Sequence, residues 1–333
     1  MWTGVARVPT SPTCQQPRVS KWKPTSPTGG GYERNETLPN SHVSTELSVV
    51  IPSLGRVDRL PPLINALKRQ NLRPIEIIVV LQDVNEFEIM RDMYSSPEES
   101  ASTRVVISKS RERSSAIARN VGAAAATATW LAFIDDDCMP VTDSWLRELV
   151  QPLLKGEAIA SSGAMHGWQS VRSLHLPGRA NYVIPLLLHP VGDPSMSTPA
   201  QLDTVWGLNF CISRDSYLAL GGMSRRFVGP SLYEETEFSL RLRRRYGRRA
   251  ICFAPAAVVE HRQAATGGQR GAGGGYDATF LGKQKGRLIG ERYASAPIRR
   301  RLSALVNSAV FRLYHSQEAT AEYRASLRLQ VVS

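Results

Sequence analysis

Three consecutive carboxylates, Asp135-Asp136-Asp137, follow directly on the apolar run Trp130-Leu131-Ala132-Phe133-Ile134, and Cys138-Met139-Pro140 closes the stretch. Adjacent carboxylates repel one another and destabilise a strand end unless a cation neutralises them. Hard oxygen donors of this kind suit a divalent ion that also grips phosphate oxygens. An isolated triplet reads equally as a solvated acidic turn that caps the next helix. The apolar run before it shifts the reading, because an uninterrupted stretch rich in aromatic and branched residues predicts a strand buried on both faces of a parallel sheet. In open α/β sheets, ligands bind at the carboxyl ends of such strands.

Several elements must converge to make that edge. Leu47-Ser48-Val49-Val50-Ile51-Pro52 is a short β-rich run, and the loop Ser53-Leu54-Gly55-Arg56 follows it. Asp58 to Gln70 has helical spacing, with Leu60, Leu63, Ile64 and Leu67 on one side. Ile75 to Leu81 predicts the next strand, about Glu86 to Tyr94 a helix, Arg104 to Ile107 a third strand, and Ser114 to Ala126 an alanine-rich helix before Trp130. Alternation of this kind predicts successive right-handed βαβ units and a mostly parallel sheet. The loop after the first strand, the end of the second strand and the Asp triplet would then share one edge. A nucleotide would sit there. No G-x-G-x-x-G and no G-x-x-x-x-G-K-[ST] follows any of these strands, which argues against a dinucleotide oxidoreductase and a P-loop NTPase.

Composition narrows the class. The chain has 333 residues, 42% apolar and 21% charged, as expected of a folded α/β domain with appendages. Cys14, Cys138, Cys211 and Cys252 are scattered, with no C-x-x-C pair. Neither a zinc site nor a disulfide framework is indicated, and a reducing cytoplasm is the simplest compartment. No basic-then-apolar leader is visible, and no stretch offers the ~20 apolar residues that span a bilayer. The net charge of +12 is uneven, with an excess of seven between Lys283 and Arg328. No zinc finger or aromatic-bearing RNA sheet accompanies that charge, so no nucleic-acid partner is expected.

Taken in order, Ser48-Val49-Val50-Ile51-Pro52-Ser53, Glu76-Ile77-Ile78-Val79-Val80, Ala118-Arg119-Asn120-Val121-Gly122 and Phe133-Ile134-Asp135-Asp136-Asp137 resemble the ordered signature of family 2 glycosyltransferases. The similarity continues through Gly207-Leu208-Asn209-Phe210, Leu220-Gly221-Gly222-Met223, Glu234-Glu235-Thr236-Glu237 and Arg241, and ends at Pro255 to His261. The resemblance implies a GT-A fold: a Rossmann-like, mostly parallel central sheet with flanking helices. It also implies a nucleotide-sugar donor, a divalent metal (Mg²⁺ or Mn²⁺) and inversion at the transferred sugar.

The resemblance assigns roles by position. Asp135 and Asp137 match the Asp-x-Asp element, Asp137 as metal ligand and Asp135 also facing the nucleotide, with Asp136 between them. Pro52, Ser53 and Arg56 flank the base and ribose. Arg119 and Asn120 precede the acidic strand, and the arginine would reach phosphate or base. Glu235 stands where most members have the catalytic Asp, with Glu234 before it. His261 matches a histidine that completes the metal or diphosphate site. Where many members carry Val-Asp-Asp-Gly-Ser, this chain has Val80-Leu81-Gln82-Asp83, and Gln82 can hydrogen-bond a base edge. Each assignment has a plainer counterpart. Glu234, Glu235 and Glu237 are also favourable charges for the first turn of a helix over Thr236 to Tyr246. His261 is also an ordinary strand-end residue beside Glu260. Arg241, Arg243, Arg244 and Arg245 read mostly as a solvated helix face, with Arg241 pairing Glu237 at i,i+4. Trp206 and Asn209 read as packing or capping residues, and Cys138 as inert packing.

Residues 1–45, rich in Pro, Ser and Thr, form a disordered tail. Residues 46–262 form the catalytic domain, with a nucleotide-sugar half at 46–140 and an acceptor half at 141–262. Residues 163–205 within it shape the acceptor pocket. The glycine-rich 263–278 is a mobile loop, read as a lid or a plain linker. Residues 279–333 are a helical, basic extension. There Leu302, Leu305, Val306, Ala309 and Leu313 form a stripe behind Arg299-Arg300-Arg301. That stripe either packs on the domain or lies peripherally on an anionic inner membrane face, near a lipid-linked acceptor. The acceptor class is open: glycan, lipid-linked or small molecule. Two other functions compete. A catalytically silent nucleotide-sugar-binding or scaffold protein is motivated by Leu81-Gln82. A nucleotidyltransferase would need a longer phosphate loop than Ser53-Leu54-Gly55-Arg56.

Overall fold

A computed structural model describes residues 45–94, 103–167, 179–227, 233–262 and 278–314. The predicted tail, with Trp2 and Trp22, the glycine-rich loop and residues 315–333 of the extension lie outside the described residues.

The first half is built as the spacing predicts. Strand β1 (Leu47–Ser53), helix α1 (Leu60–Lys68), β2 (Glu76–Leu81), α2 (Val84–Met93), β3 (Arg104–Lys109), α3 (Ser115–Ala125) and β4 (Trp130–Ile134) alternate. β1 pairs in parallel with both β2 and β4, and β2 with β3. α1 begins two residues later than the apolar spacing suggests, because a 3₁₀ turn at Val57–Arg59 precedes Pro61 and Pro62 in its first turn. Asp83 caps α2, its carboxylate accepting from the amides of Asn85 and Glu86.

The second half adds β5 (Cys138–Pro140), α4 (Trp145–Leu154), β6 (Ala160–His166), β7 (Arg179–Ile184), β8 (His189–Gly192), β9 (Gln201–Leu202), β10 (Asn209–Ser213), α5 (Arg214–Ala219), α6 (Glu234–Tyr246), β11 (Ile251–His261), α7 (Ala278–Arg292) and α8 (Pro297–Tyr314). The sheet runs β3-β2-β1-β4-β10-β6-β11-β9-β7-β8, with β5 paired to β11. It is parallel through its first four strands, and β10 then runs antiparallel to both β4 and β6. The predicted pocket region 163–205 contributes the end of β6 and strands β7 to β9.

Alternation along the strands fills two cores. Val49, Ile51, Ile77, Val79, Ala132 and Ile134 pack toward α1 and α4. Val50, Ile78, Val80, Leu131 and Phe133 pack toward α3, α5 and α6, where Phe133 stacks on Phe210 at 4.4 Å. β4 is buried along its whole length. Among the described residues no helix is long and apolar enough to cross a membrane.

At the end of the sheet opposite the acidic triplet, Glu76 is buried in a polar knot. It accepts from Ser48 Oγ at 2.6 Å, from Thr127 N at 2.6 Å and from Arg104 at 2.6 Å. Burial alone would raise its pKa, but these hydrogen bonds outweigh burial and hold it below the ordinary 4.5. Glu76→Ala is expected to destabilise the fold by about 2–3 kcal/mol in urea unfolding, because buried donors lose their acceptor. In the parent this contribution is complete above the ordinary value of 4.5 and is lost as pH falls through the lower folded value. The stability difference between parent and variant should therefore shrink in acid.

Candidate active site

The carboxyl end of β4 opens into a cavity of about 420 Å³. The chain leaves β4 through a tight turn in which the amide of Cys138 bonds the carbonyl of Asp135 at 3.1 Å. That turn sends the three carboxylates in different directions. Asp136 turns inward and accepts from Ser53 Oγ at 2.8 Å and from Arg56 at 2.7 Å. Burial pushes its carboxyl up to about 6, against the pull of Arg56 and Ser53. Asp137 meets the same Arg56 at 3.0 Å and lies 3.4 Å from His261 Nε2. Asp135 stays partly exposed at the cavity and takes a 2.8 Å bond from Arg119.

Arg56 can do this because its loop is pinned. Glu86 of α2 accepts from the amides of Gly55 at 2.7 Å and Val57 at 3.0 Å. Gln82 is fixed beside it, its backbone amide donating to Ser53 O at 3.1 Å. His261 arrives from the far end of the sequence because β11 pairs antiparallel with β5, which sets His261 opposite Cys138. The amide of Arg262 then bonds the Asp137 carbonyl at 2.8 Å.

Arg119 is the bridge across the cavity. From α3 its guanidinium reaches Asp135 on one side and Glu234, at 3.0 Å, on the other. Burial disfavours its charge, yet Asp135, Glu234 and Glu235 together hold its pKa above the usual guanidinium value. Glu234 and Glu235 open α6, directly after Tyr233 in a left-handed conformation (φ 74°). Burial raises both carboxyls above the ordinary 4.5; repulsion from Glu235 adds to the effect on Glu234, and Arg119 opposes it. Glu234 is buried with Arg119, while Glu235 is the more open of the two. Gly207 makes room for this arrangement: a Cβ there would collide with Glu235 Oε1 and crowd Arg119. The Gly207-Leu208-Asn209-Phe210 corner is rigid. Asn209 is fully buried, its amide donating to the carbonyls of Ala164 and Ala257, both at 2.9 Å, and accepting from the Trp145 indole at 3.0 Å.

Of the residues singled out in the sequence, Pro52, Arg56, Gln82, Arg119, Asp135, Asp136, Asp137, Glu234, Glu235 and His261 all line this one cavity. Ser53 acts from just behind it through Asp136. Asn120 does not belong there. Its amide is consumed by the turn before α6, donating to Met223 O at 2.7 Å and accepting from Met223 N at 2.9 Å and Tyr217 OH at 2.7 Å. The turn needs this clamp. Gly222 has φ 69°, and a Cβ there would strike the Asn120 carbonyl oxygen. Asn120→Ala is therefore expected to cost about 2–3 kcal/mol in unfolding free energy, measured by denaturation.

The expected Arg241–Glu237 pair forms, and Arg243, expected on a solvated face, is also structural. Arg241 pairs Glu237 at 2.6 Å and donates to the carbonyls of Leu220 and Gly222, and Arg243 pairs Asp203 at 2.8 Å. Arg244 and Arg245 are exposed.

Sequence reasoning paired Asp135 with Asp137 and His261 as metal ligands. The geometry instead groups Asp137, Cys138 and His261, whose donor atoms all lie within 4.8 Å of one another. Asp135 is paired with Arg119 at 2.8 Å, as Asp137 is with Arg56 at 3.0 Å. Cys138 lies in the core, as its apolar neighbours predict. The signal that it also borders the site was its position next to Asp137 on a strand that must face another strand end. A carboxylate, an imidazole and a thiol in one cluster fit a divalent transition metal.

Residues 48–189 match the model of glycosyl transferase family 2. An uncharacterized glycosyltransferase of Haemophilus influenzae is 24% identical over 202 residues, which cover 59% of this chain and 61% of that protein. The chain thus spans about three fifths of the length of that relative. Two solved structures share the fold. One is GalNAc-T7 with UDP, GalNAc and Mn²⁺ (TM-score 0.54, 16% identity, 76% of this chain and 51% of that one). The other is S. aureus TarS 1–349 in complex with UDP-GlcNAc (TM-score 0.53, 14% identity, 86% of this chain and 80% of that one). The fold is GT-A.

Proposed function

Given a glycosyl transferase family 2 segment at residues 48–189 on a GT-A fold, we propose that the chain transfers a sugar from a nucleotide-sugar donor to an acceptor hydroxyl, with Glu235 as base and inversion at the transferred carbon. The observation that carries this reading is the bridge of Arg119, which ties the acidic turn after β4 to the Glu234-Glu235 pair across a single cavity. One end of that cavity is built to handle a diphosphate and its counter-ion. The other presents a carboxylate that can accept a proton.

The donor would lie over Pro52, Arg56 and Gln82, with its base near Gln82 and its diphosphate toward Asp135 and Asp137. The solved relative holding UDP, GalNAc and Mn²⁺ and the one holding UDP-GlcNAc support that class of donor. Asp137, His261 and Cys138 are the residues that would hold a divalent ion, with Asp135 facing the nucleotide. When bound, such an ion neutralises the charge that develops on a leaving diphosphate. An imidazole beside a carboxylate suits Mn²⁺ better than Mg²⁺, which prefers an all-oxygen shell.

Glu235 is the better base than Glu234. Glu234 is locked to Arg119, whereas Glu235 is the more exposed of the two carboxylates that line the cavity. A raised carboxyl pKa makes it a stronger acceptor for a hydroxyl proton. A base across the cavity from the leaving group suits direct displacement, which inverts the anomeric carbon. The test is turnover of a UDP-, GDP-, dTDP- and CMP-sugar panel with Mn²⁺, read as release of free nucleotide and as the anomer of the product by NMR. Donor binding without release or transfer across the panel would instead identify a catalytically silent nucleotide-sugar-binding protein.

A further inference from the structure

Helix α8 faces the domain with its polar side. Asn307 donates to the carbonyl of Leu186 at 2.9 Å, and Ser303 Oγ donates to the same oxygen. Lys285 of α7 holds the neighbouring Leu188 carbonyl at 2.9 Å, its ammonium 4.4 Å from the centre of the Tyr233 ring. The two carbonyls belong to the β7–β8 turn, where Leu186 and Leu188 have φ of 66° and 49°. His189 and Pro190, next in the chain, line the cavity.

Because Ser303 and Asn307 face inward, the apolar residues on the opposite side of α8 face out. Ile298 is 82% exposed, Leu302 47% and Leu305 69%. With exposed Ala309 they recur at i, i+4, i+7 and i+11, which is one side of a helix. At 100° per residue, Arg299 and Arg301, both exposed, fall on either flank of that side. No Asp or Glu occurs anywhere from Pro297 to Tyr314. A protein partner of ordinary composition would not require an acid-free helix. A layer of negative headgroups over hydrocarbon matches both the stripe and its flanks.

We infer that α8 is a docking surface for an anionic lipid bilayer, with Ile298, Leu302 and Leu305 inserted below the headgroups and Arg299 and Arg301 reaching up to the phosphates. The arginine stems can lie along apolar surface while their heads stay at the charged layer. The inner side of the same helix grips the turn that leads into the cavity wall, so the docked enzyme presents that wall close to the membrane. The docking stands without the transfer reading; only its consequence, a lipid-linked acceptor, rests on that reading.

The full chain is mixed with vesicles of phosphatidylcholine alone, or with about 30% phosphatidylglycerol, and floated on a density gradient without donor or metal. Partition is expected on the anionic vesicles only, falling as salt is raised. Arg299→Gln with Arg301→Gln should weaken it about 25-fold, roughly fivefold for each basic residue removed from the surface. Leu305→Glu should weaken it more than tenfold. Both variants change exposed side chains, so circular dichroism and thermal midpoint should match the parent. Equal partition on neutral vesicles, or none on either kind, overturns the proposal. So does a parent dimer that Leu305→Glu converts to monomer in sedimentation velocity without any vesicle binding, which would make the stripe an interface between two copies. None of these outcomes depends on sugar transfer, so failure here leaves the reading of the cavity intact.

Discussion

Glu235→Gln is expected to lower sugar transfer by about 10²–10⁴-fold while leaving nucleotide-sugar affinity within a few-fold of the parent. Glutamine keeps the shape and the packing against Gly207, and it removes the charge and with it the capacity to accept a proton. Arg119 retains Glu234 and Asp135 as partners, so the bridge across the cavity survives. The split between kcat and binding is the informative readout, because a merely structural role for Glu235 would move stability or affinity instead. In the parent, the limb of the pH–rate profile on the acid side should lie above the ordinary carboxylate value of 4.5, since burial raises Glu235 and only the deprotonated form is a base. Activity should fall as pH drops through that raised value, and the limb belongs to the Glu234-Glu235 pair together rather than to one group. Gly207→Ala offers an independent check. Its Cβ pushes Glu235 Oε1 aside, so transfer should drop with the carboxylate still present. Full activity in both variants would place the base elsewhere.

The sheet was readable because its central strands are unbroken apolar runs. Nothing but burial on both faces explains Val49-Val50-Ile51, Ile77 to Leu81 or Trp130 to Ile134, and each is buried throughout. The acidic turn was readable because like charges at a strand end call for a partner. What local pattern could not supply was direction. Arg119 and Asn120 are neighbours in sequence, but on α3 they point about 100° apart. The arginine therefore enters the cavity, and the amide serves the Leu220-Gly221-Gly222-Met223 turn. The same limit hid Cys138, whose place beside His261 follows only from the pairing of β5 with β11. Family likeness identified the positions, while the partners of each side chain had to come from the fold. Asp135 shows the difference: its place in the Asp-x-Asp element says nothing of Arg119, which donates to its carboxylate at 2.8 Å. The orientation of α8 was equally hidden. The stripe of apolar residues was visible, yet only the fold reveals that Leu302, Leu305 and Ala309 of it are exposed, on the side away from the bonds of Ser303 and Asn307 to Leu186.

Asp137→Asn is expected to weaken Mn²⁺ binding by at least tenfold in titration calorimetry and to lower transfer by about 10²–10³-fold, a loss of several kcal/mol of transition-state stabilisation. Asparagine is close to isosteric, and the two backbone bonds that shape this turn, Cys138 N to Asp135 O and Arg262 N to Asp137 O, do not involve the side chain. The fold should therefore persist. Arg56 keeps its 2.7 Å bond to Asp136, so the first loop stays in place. The matched control is Asp136→Asn. That carboxylate is turned away toward Ser53 and Arg56, and removing its charge leaves a buried guanidinium with a weaker partner. Asp136→Asn should lower thermal stability more than Asp137→Asn does, and should change Mn²⁺ affinity less. Removal of divalent ions with EDTA should abolish transfer in the parent, and added Mn²⁺ should restore it more fully than Mg²⁺. If the two Asn variants bound Mn²⁺ alike, or if EDTA left transfer untouched, the cluster of Asp137, Cys138 and His261 would be a packing feature, and Arg56 with Arg119 would have to carry the diphosphate charge unaided.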